Sequence, residues 1–265
     1  MKDDSLENLT VHLERDGFRL ALASDFTEVE NLLALLTGRA KPERYFRQGR
    51  RRNVMLSRQA VIKFYDFHKF TDLLRSGRYA PREVECYHDY VKAFGQLEGI
   101  RLPRLLGYFE KRFFGPFYRS NGLISEYMPD THELTLDELM RTVPLFAHLY
   151  RRGIYHPDMQ FKNVLFHTAS STVIPIDYMG CNILSQPNWE ALLIMLARFL
   201  RTGKVLEEPA RAFLNNVLAA LPDIHITPDR AWDCICKLYQ VTITTHQYHH
   251  PIFLPDDLRR QVISG

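Results

Sequence analysis

The chain has 265 residues, 46% hydrophobic and 25% charged, which is ordinary for a globular protein and enough for a real core in one large or two small lobes. A net charge of only +3 excludes a polyelectrolyte that grips nucleic acid by bulk charge, so the basic residues matter by their location. The four cysteines are scattered, with only Cys234 and Cys236 close together, which suits free thiols in a reducing compartment. No signal-like apolar core opens the chain and no apolar run approaches the ~18 residues of a membrane span, so a cytoplasmic location is expected.

In chain order, residues 11–13 and 18–22 read as short strands about the Asp16-Gly17 turn. Asp25 reads as the cap of a helix over residues 26–36 that stops at Gly38. This segment is expected to be an N-terminal extension packed on a first lobe. Residues 53–56 and 60–65 read as two strands joined by a polar turn at Ser57-Arg58-Gln59. Lys63 is embedded in the second. An ammonium inside an apolar run usually has an anionic partner, because burying it unpaired is expensive; the alternative is an edge strand with Lys63 in solvent. Just before these strands, Arg47, Arg50, Arg51 and Arg52 surround Gly49. Their guanidinium groups are suited to an anion, whether phosphate, an anionic substrate or a phospholipid surface, a reading placed ahead of the alternative, a solvated basic turn.

Residues 81–95 read as a helix, with Pro81 in its first turn and Val84, Tyr87, Val91 and Phe94 as its apolar stripe. Glu83 lies four before Tyr87, on the stripe side, and Glu85 lies further round. Glu83 is therefore the better partner for Lys63, with Glu85 as the fallback. Residues 102–109 and 122–129 read as further strands, the second running into a linker that includes Glu126, Met128 and Pro129. A helix over residues 136–152 then leads into the loop that begins at Gly153. After Asp177 the chain is expected to be helical to its end, over residues 188–201, 207–221 and 228–243. Stripes such as Leu192, Met195, Leu196 and Phe199 are read as core. Cys234 and Cys236 lack a second ligand pair at zinc spacing, and the cluster His246, His249 and His250 reads as a surface loop before it reads as a metal site.

The chemistry concentrates between Gly153 and Asp177. His156, Asp158 and Asn163 follow the order H-x-D-x-x-x-x-N, and two short apolar runs, 164–166 and 173–176, read as a hairpin that delivers Asp177. Phosphoryl transfer from ATP needs a carboxylate beside the attacking hydroxyl and oxygen ligands for magnesium. Asp158 suits the first role. Asn163 and Asp177 suit the second, since Mg²⁺ is satisfied by one or two carboxylates plus phosphate and water oxygens. A lone H-x-D is common and caps many turns; the whole series in this order is much rarer.

Taken together, Lys63, Arg82-Glu83, the strand Gly122-Leu123-Ile124-Ser125-Glu126-Tyr127, His156-x-Asp158-x-x-x-x-Asn163 and Ile176-Asp177 resemble the protein-kinase-like superfamily, over about residues 45–200. Within it the chain most resembles the bacterial lipopolysaccharide core kinases, the Kdo and heptose kinase family. The resemblance implies an α+β fold of two lobes, a small β-rich lobe over residues 1–128 and a helical lobe over 129–265. It implies ATP and Mg²⁺ as cofactors, with Lys63 on the nucleotide phosphates, Glu83 holding Lys63, and the backbone of Glu126 to Met128 on the adenine edge. Asp158 becomes the catalytic base, His156 a brace for the loop, and Asn163 and Asp177 the metal ligands. Lys162, four after Asp158, either neutralises the transferring phosphate or points away.

Three departures from protein kinases stand out. The glycine loop is eroded, D-F-G is replaced by Asp177-Tyr178-Met179-Gly180, and no A-P-E segment precedes the helix at Pro187-Asn188-Trp189. The last two argue against a peptide acceptor. The expected acceptor is a sugar hydroxyl of the lipopolysaccharide inner core, an anionic glycolipid met by a peripheral enzyme at the inner membrane. A protein kinase, an aminoglycoside- or choline-like kinase and an inactive scaffold are the alternatives.

Overall fold

The structure is a computed structural model that describes residues 9–47, 51–57, 59–67, 80–114, 117–178 and 180–241. The chain divides into two compact units: residues 1–88 with 103–129, and residues 89–102 with 130–265.

The first unit is built on strands β1 (Val11–Arg15), β2 (Phe18–Leu22), β3 (Arg44–Arg47), β4 (Arg51–Met55), β5 (Ala60–Asp66), β6 (Leu105–Phe114) and β7 (Phe117–Glu126). They form one antiparallel sheet in the order β1-β2-β6-β7-β5-β4-β3. Helix α1 (Val29–Leu36) lays Leu32 and Leu33 on a core of Phe18, Leu20, Leu22, Ile62, Phe64, Phe109 and Ile124. Alternating side chains on the strands supply that face, and each large apolar side chain fully buried there contributes roughly 1.5–3 kcal/mol. Helix α2 (Ala80–Phe94) gives residues 80–88 to this unit and 89–94 to the second.

Two expectations are corrected here. The N-terminal strands are not an appendage: β2 ladders onto β6, with Leu20 opposite Phe109, so they complete the sheet and its core. Asp25 does not cap α1, which starts at Val29; its carboxylate instead pairs with Arg104 at 2.8 Å. The β6–β7 hairpin is also longer than the apolar runs suggested, because polar residues such as Glu110, Asn121, Lys111 and Ser120 continue the ladder.

The second unit runs through β8 (Thr131–Glu133), a 3-10 helix over Leu136–Thr142, α3 (Val143–Arg151), β9 (Ile154–Tyr155), a 3-10 turn over Phe161–Asn163, β10 (Val164–His167), β11 (Thr172–Pro175), β12 (Asn182–Ile183), α4 (Trp189–Thr202), α5 (Glu207–Ala219) and α6 (Pro228–Val241). Strands β11, β10 and β8 form a small sheet in that order. The helices close over the rings of Phe146, Phe199 and Phe213, with Phe146 and Phe199 edge to face at 4.9 Å.

The single helix expected over residues 136–152 is broken into two. Thr135 and Glu138 form a capping box on the 3-10 segment, and Pro144, which lacks an N–H, starts α3 afresh. Nor is the chain wholly helical after Asp177, because Asn182–Ile183 pairs with β9. Gly153 makes this possible. Its φ of +64° suits glycine, its carbonyl accepts from Leu184 N at 2.8 Å, and a Cβ there would stand 2.8 Å from the Leu184 carbonyl oxygen.

Candidate active site

Lys63 leaves the middle of β5, opposite Asn53 on β4 and Leu123 on β7, so it stands on an interior strand of the sheet. Its Nζ donates to Glu83 Oε1 at 2.6 Å. The Glu83 carboxylate is 2% exposed, and the Tyr65 hydroxyl donates to its other oxygen. Tyr65 follows Lys63 by two residues and therefore shares its face of the strand. A buried carboxylate with both oxygens satisfied is a fixed anchor, and it holds the Lys63 ammonium in one place. Glu85 is exposed on the same helix.

At the end of β7, Glu126 N donates to Arg104 O at 2.8 Å and Tyr127 N to Gln59 O at 2.8 Å, so these two amides are engaged within the unit. Met128 is buried. The Tyr127 ring stacks on Phe46 of β3 at 6.2 Å.

In the second unit, the loop after β9 carries His156, Asp158 and Asn163. The Asn163 side chain donates to the Asp158 carbonyl at 2.8 Å and lies 3.3 Å from Asp158 Oδ2, closing the loop on itself. Arg198 of α4 and the Gln160 amide both donate to Asp158 Oδ1. Among the described residues nothing donates to Asn163 Oδ1, which leaves that oxygen for a ligand. Ile176 N donates to Asn163 O at 2.9 Å, so the residue before Asp177 is tied to the loop by backbone. Asp177 itself has φ +65°, a left-handed conformation uncommon for a residue with a Cβ.

His156 is fully buried beneath this loop. Burial pushes its pKa down, Asp177 and Asp158 pull it up from two sides together with the Ile176 backbone, and Arg198 adds to the lowering. The ring is therefore neutral near pH 7, and both carboxylates lie close enough for it to feel them. Tyr178, next to Asp177, packs on Tyr90 at 4.7 Å, and Tyr90 lies edge-on to His156 at 6.1 Å. This buried trio gives the strained Asp177 backbone a rigid footing.

The structure thus brings Lys63 to Glu83, and Asp158 to Asn163 with Asp177 adjacent by backbone. Lys162 is exposed and, among the described residues, makes no hydrogen bond or ion pair. Arg50, Met179, His246, His249 and His250, with the side chains of Arg47, Arg51 and Arg52, lie outside the described residues. No three His, Cys, Asp or Glu side chains cluster as a metal site among the described residues. An Asp–Asn oxygen pair nonetheless fits Mg²⁺, which draws its remaining ligands from phosphate and water. Sequence reading missed Tyr65, Gln160 and Arg198. The first was legible as the i+2 neighbour of Lys63; Arg198 carried no local signal, because its partner lies 40 residues away.

No protein-family model matches the sequence, and no curated protein sequence does. Among solved structures, WaaP in complex with acyl carrier protein is similar with a TM-score of 0.53 at 15% identity, covering 83% of this chain and 99% of that one. Choline kinase LicA from Streptococcus pneumoniae is similar with a TM-score of 0.50 at 7% identity, covering 90% of this chain and 98% of that one. The α+β fold of this chain is kinase-like, similar to the folds of these two structures.

Proposed function

We propose that the protein is an ATP- and Mg²⁺-dependent kinase that phosphorylates an alcohol, and that its acceptor is a sugar hydroxyl of the lipopolysaccharide inner core. The observation that carries the kinase reading is the loop around Asp158, an ionisable carboxylate held by Asn163 from within and followed by the left-handed Asp177. Lys63, fixed by Glu83, binds the nucleotide phosphates, and backbone groups of Glu126 and Met128 meet the adenine edge. Asp158 orients the acceptor hydroxyl and takes its proton. His156, neutral and buried, braces the loop from beneath. Asn163 Oδ1 and the Asp177 carboxylate would hold Mg²⁺, which would supply charge neutralisation on the phosphate oxygens.

The acceptor class rests on the family resemblance of the sequence and on the arginines at 47 and 50–52, which suit an anionic glycolipid. Among the described residues no helix is long and apolar enough to cross a membrane. In this reading the enzyme works in the cytoplasm and meets its glycolipid at the surface of the inner membrane. The shared fold with choline kinase LicA favours a second reading, a small soluble alcohol as acceptor.

Purified protein incubated with γ-labelled ATP, Mg²⁺ and either dephosphorylated lipopolysaccharide or a panel of choline and aminoglycosides tests both. Label in the glycolipid supports the first reading. Label only in a soluble alcohol replaces it with the second.

A further inference from the structure

Helix α4 does more than fill the core. Three of its side chains reach the loop that carries Asp158. Met195 Sδ accepts from His156 N at 3.2 Å, Arg198 donates to Asp158 Oδ1, and Thr202 Oγ1 accepts from Phe161 N at 2.9 Å. Positions 195, 198 and 202 are spaced by three and four, so they share one face of the helix. That face is a template with one attachment before Asp158, one on its carboxylate and one after it. Gly203, just past the helix, lets the fit be close: a Cβ there would stand 2.4 Å from the Phe161 ring.

The two Asp158 oxygens are treated differently. Oδ1 takes the Arg198 guanidinium and the Gln160 amide, whereas among the described residues Oδ2 has only the Asn163 amide at 3.3 Å. The Arg198 side chain is 16% exposed and that of Asp158 34%, so the guanidinium is the more enclosed partner and the carboxylate the one that meets solvent.

We propose that Arg198 is a positioning residue that anchors Asp158 through Oδ1 and turns Oδ2 toward the acceptor hydroxyl. This rests on the kinase reading. In the transfer, the acceptor O–H bond breaks and its proton passes to Asp158 Oδ2. The acceptor oxygen forms a bond to the γ-phosphorus of ATP as the bond from that phosphorus to the bridging oxygen breaks, its electron pair leaving with ADP. Arg198 touches neither substrate. It fixes the rotamer of the carboxylate that does, and a misaligned base costs rate and leaves binding intact.

The test is a double-mutant cycle on the full chain, read as phosphate transfer to dephosphorylated lipopolysaccharide and as ATP hydrolysis with water as acceptor. Arg198→Met should lower kcat roughly 10–100-fold, the range for loss of a charged hydrogen bond, with the KM for ATP unchanged. Arg198→Lys, which keeps the charge, should recover part of the loss, and added guanidine should raise the activity of an Arg198→Ala variant. In an Asp158→Ala background, Arg198→Met should lower kcat no further. Full activity in Arg198→Met, a higher kcat, or an equal added loss in the Asp158→Ala background would each overturn the positioning role while leaving the kinase reading standing. If Arg198→Met melts early, the Arg198→Lys and guanidine results decide in its place, and no recovery in either counts against the proposal. A wild type that neither transfers nor hydrolyses the γ-phosphate would sink the kinase reading and this inference with it.

Discussion

At the residue scale, the site depends on charges that are held. Glu83 is almost wholly buried and serves Lys63 and Tyr65 together. Removing it takes away the carboxylate that holds the Lys63 ammonium, so Glu83→Ala should lower both the melting temperature and the affinity for ATP, by thermal denaturation and nucleotide titration; an unchanged protein would deny the pair any role. Asp158→Ala should cut turnover by about 10²–10⁴-fold with ATP binding nearly intact, the signature of a lost base. His156 sets a pH dependence. Burial holds its folded pKa below the ordinary imidazole value of 6.5, so below pH 6.5 the unfolded chain binds a proton that the folded chain refuses. Its contribution is complete above that pH and declines as pH falls toward the folded pKa. Melting curves between pH 7.5 and 5 should therefore fall, and His156→Gln should flatten the slope. Lys63, Asp158, Asn163 and Asp177 were legible because motif spacing survives in one dimension. Arg198 was not, since its partner is 40 residues away and only helix packing joins them.

At the element scale, periodicity made the strands and helices around the site legible, and side-chain chemistry set their true ends. The strands of β4, β5, β10 and β11 alternate or run apolar, and they read as strands. What the sequence hid was polar pairing: Thr131–Glu133 and Asn182–Ile183 carry no apolar signal and become strands only because β10 and β9 offer them partners. Pro144 was a visible break that the apolar pattern across 136–152 overrode in reading. The docking of α4 on the loop gives a stability prediction. Gly203→Ala places a methyl against the Phe161 ring and should cost about 1–3 kcal/mol by denaturant unfolding, the usual range for overpacking. A cost near zero would mean that Phe161, and with it the loop, is free to shift.

At the scale of the whole molecule, an α+β, kinase-like fold appears in a chain that no family model matches by sequence. Fold alone hosts many acceptors, so chemistry must be read from Lys63, Asp158, Asn163 and Asp177. ATP with Mg²⁺ should raise the melting temperature by mass action, and Asp177→Ala should abolish the part of that shift that needs the metal. The most direct measurement is release or transfer of the γ-phosphate from ATP by the wild type, Asp158→Ala and Asp177→Ala under single-turnover conditions. A working kinase predicts turnover in the wild type and its collapse in both variants. Equal rates in all three, or none in a wild type that is folded and supplied with Mg²⁺, would contradict it.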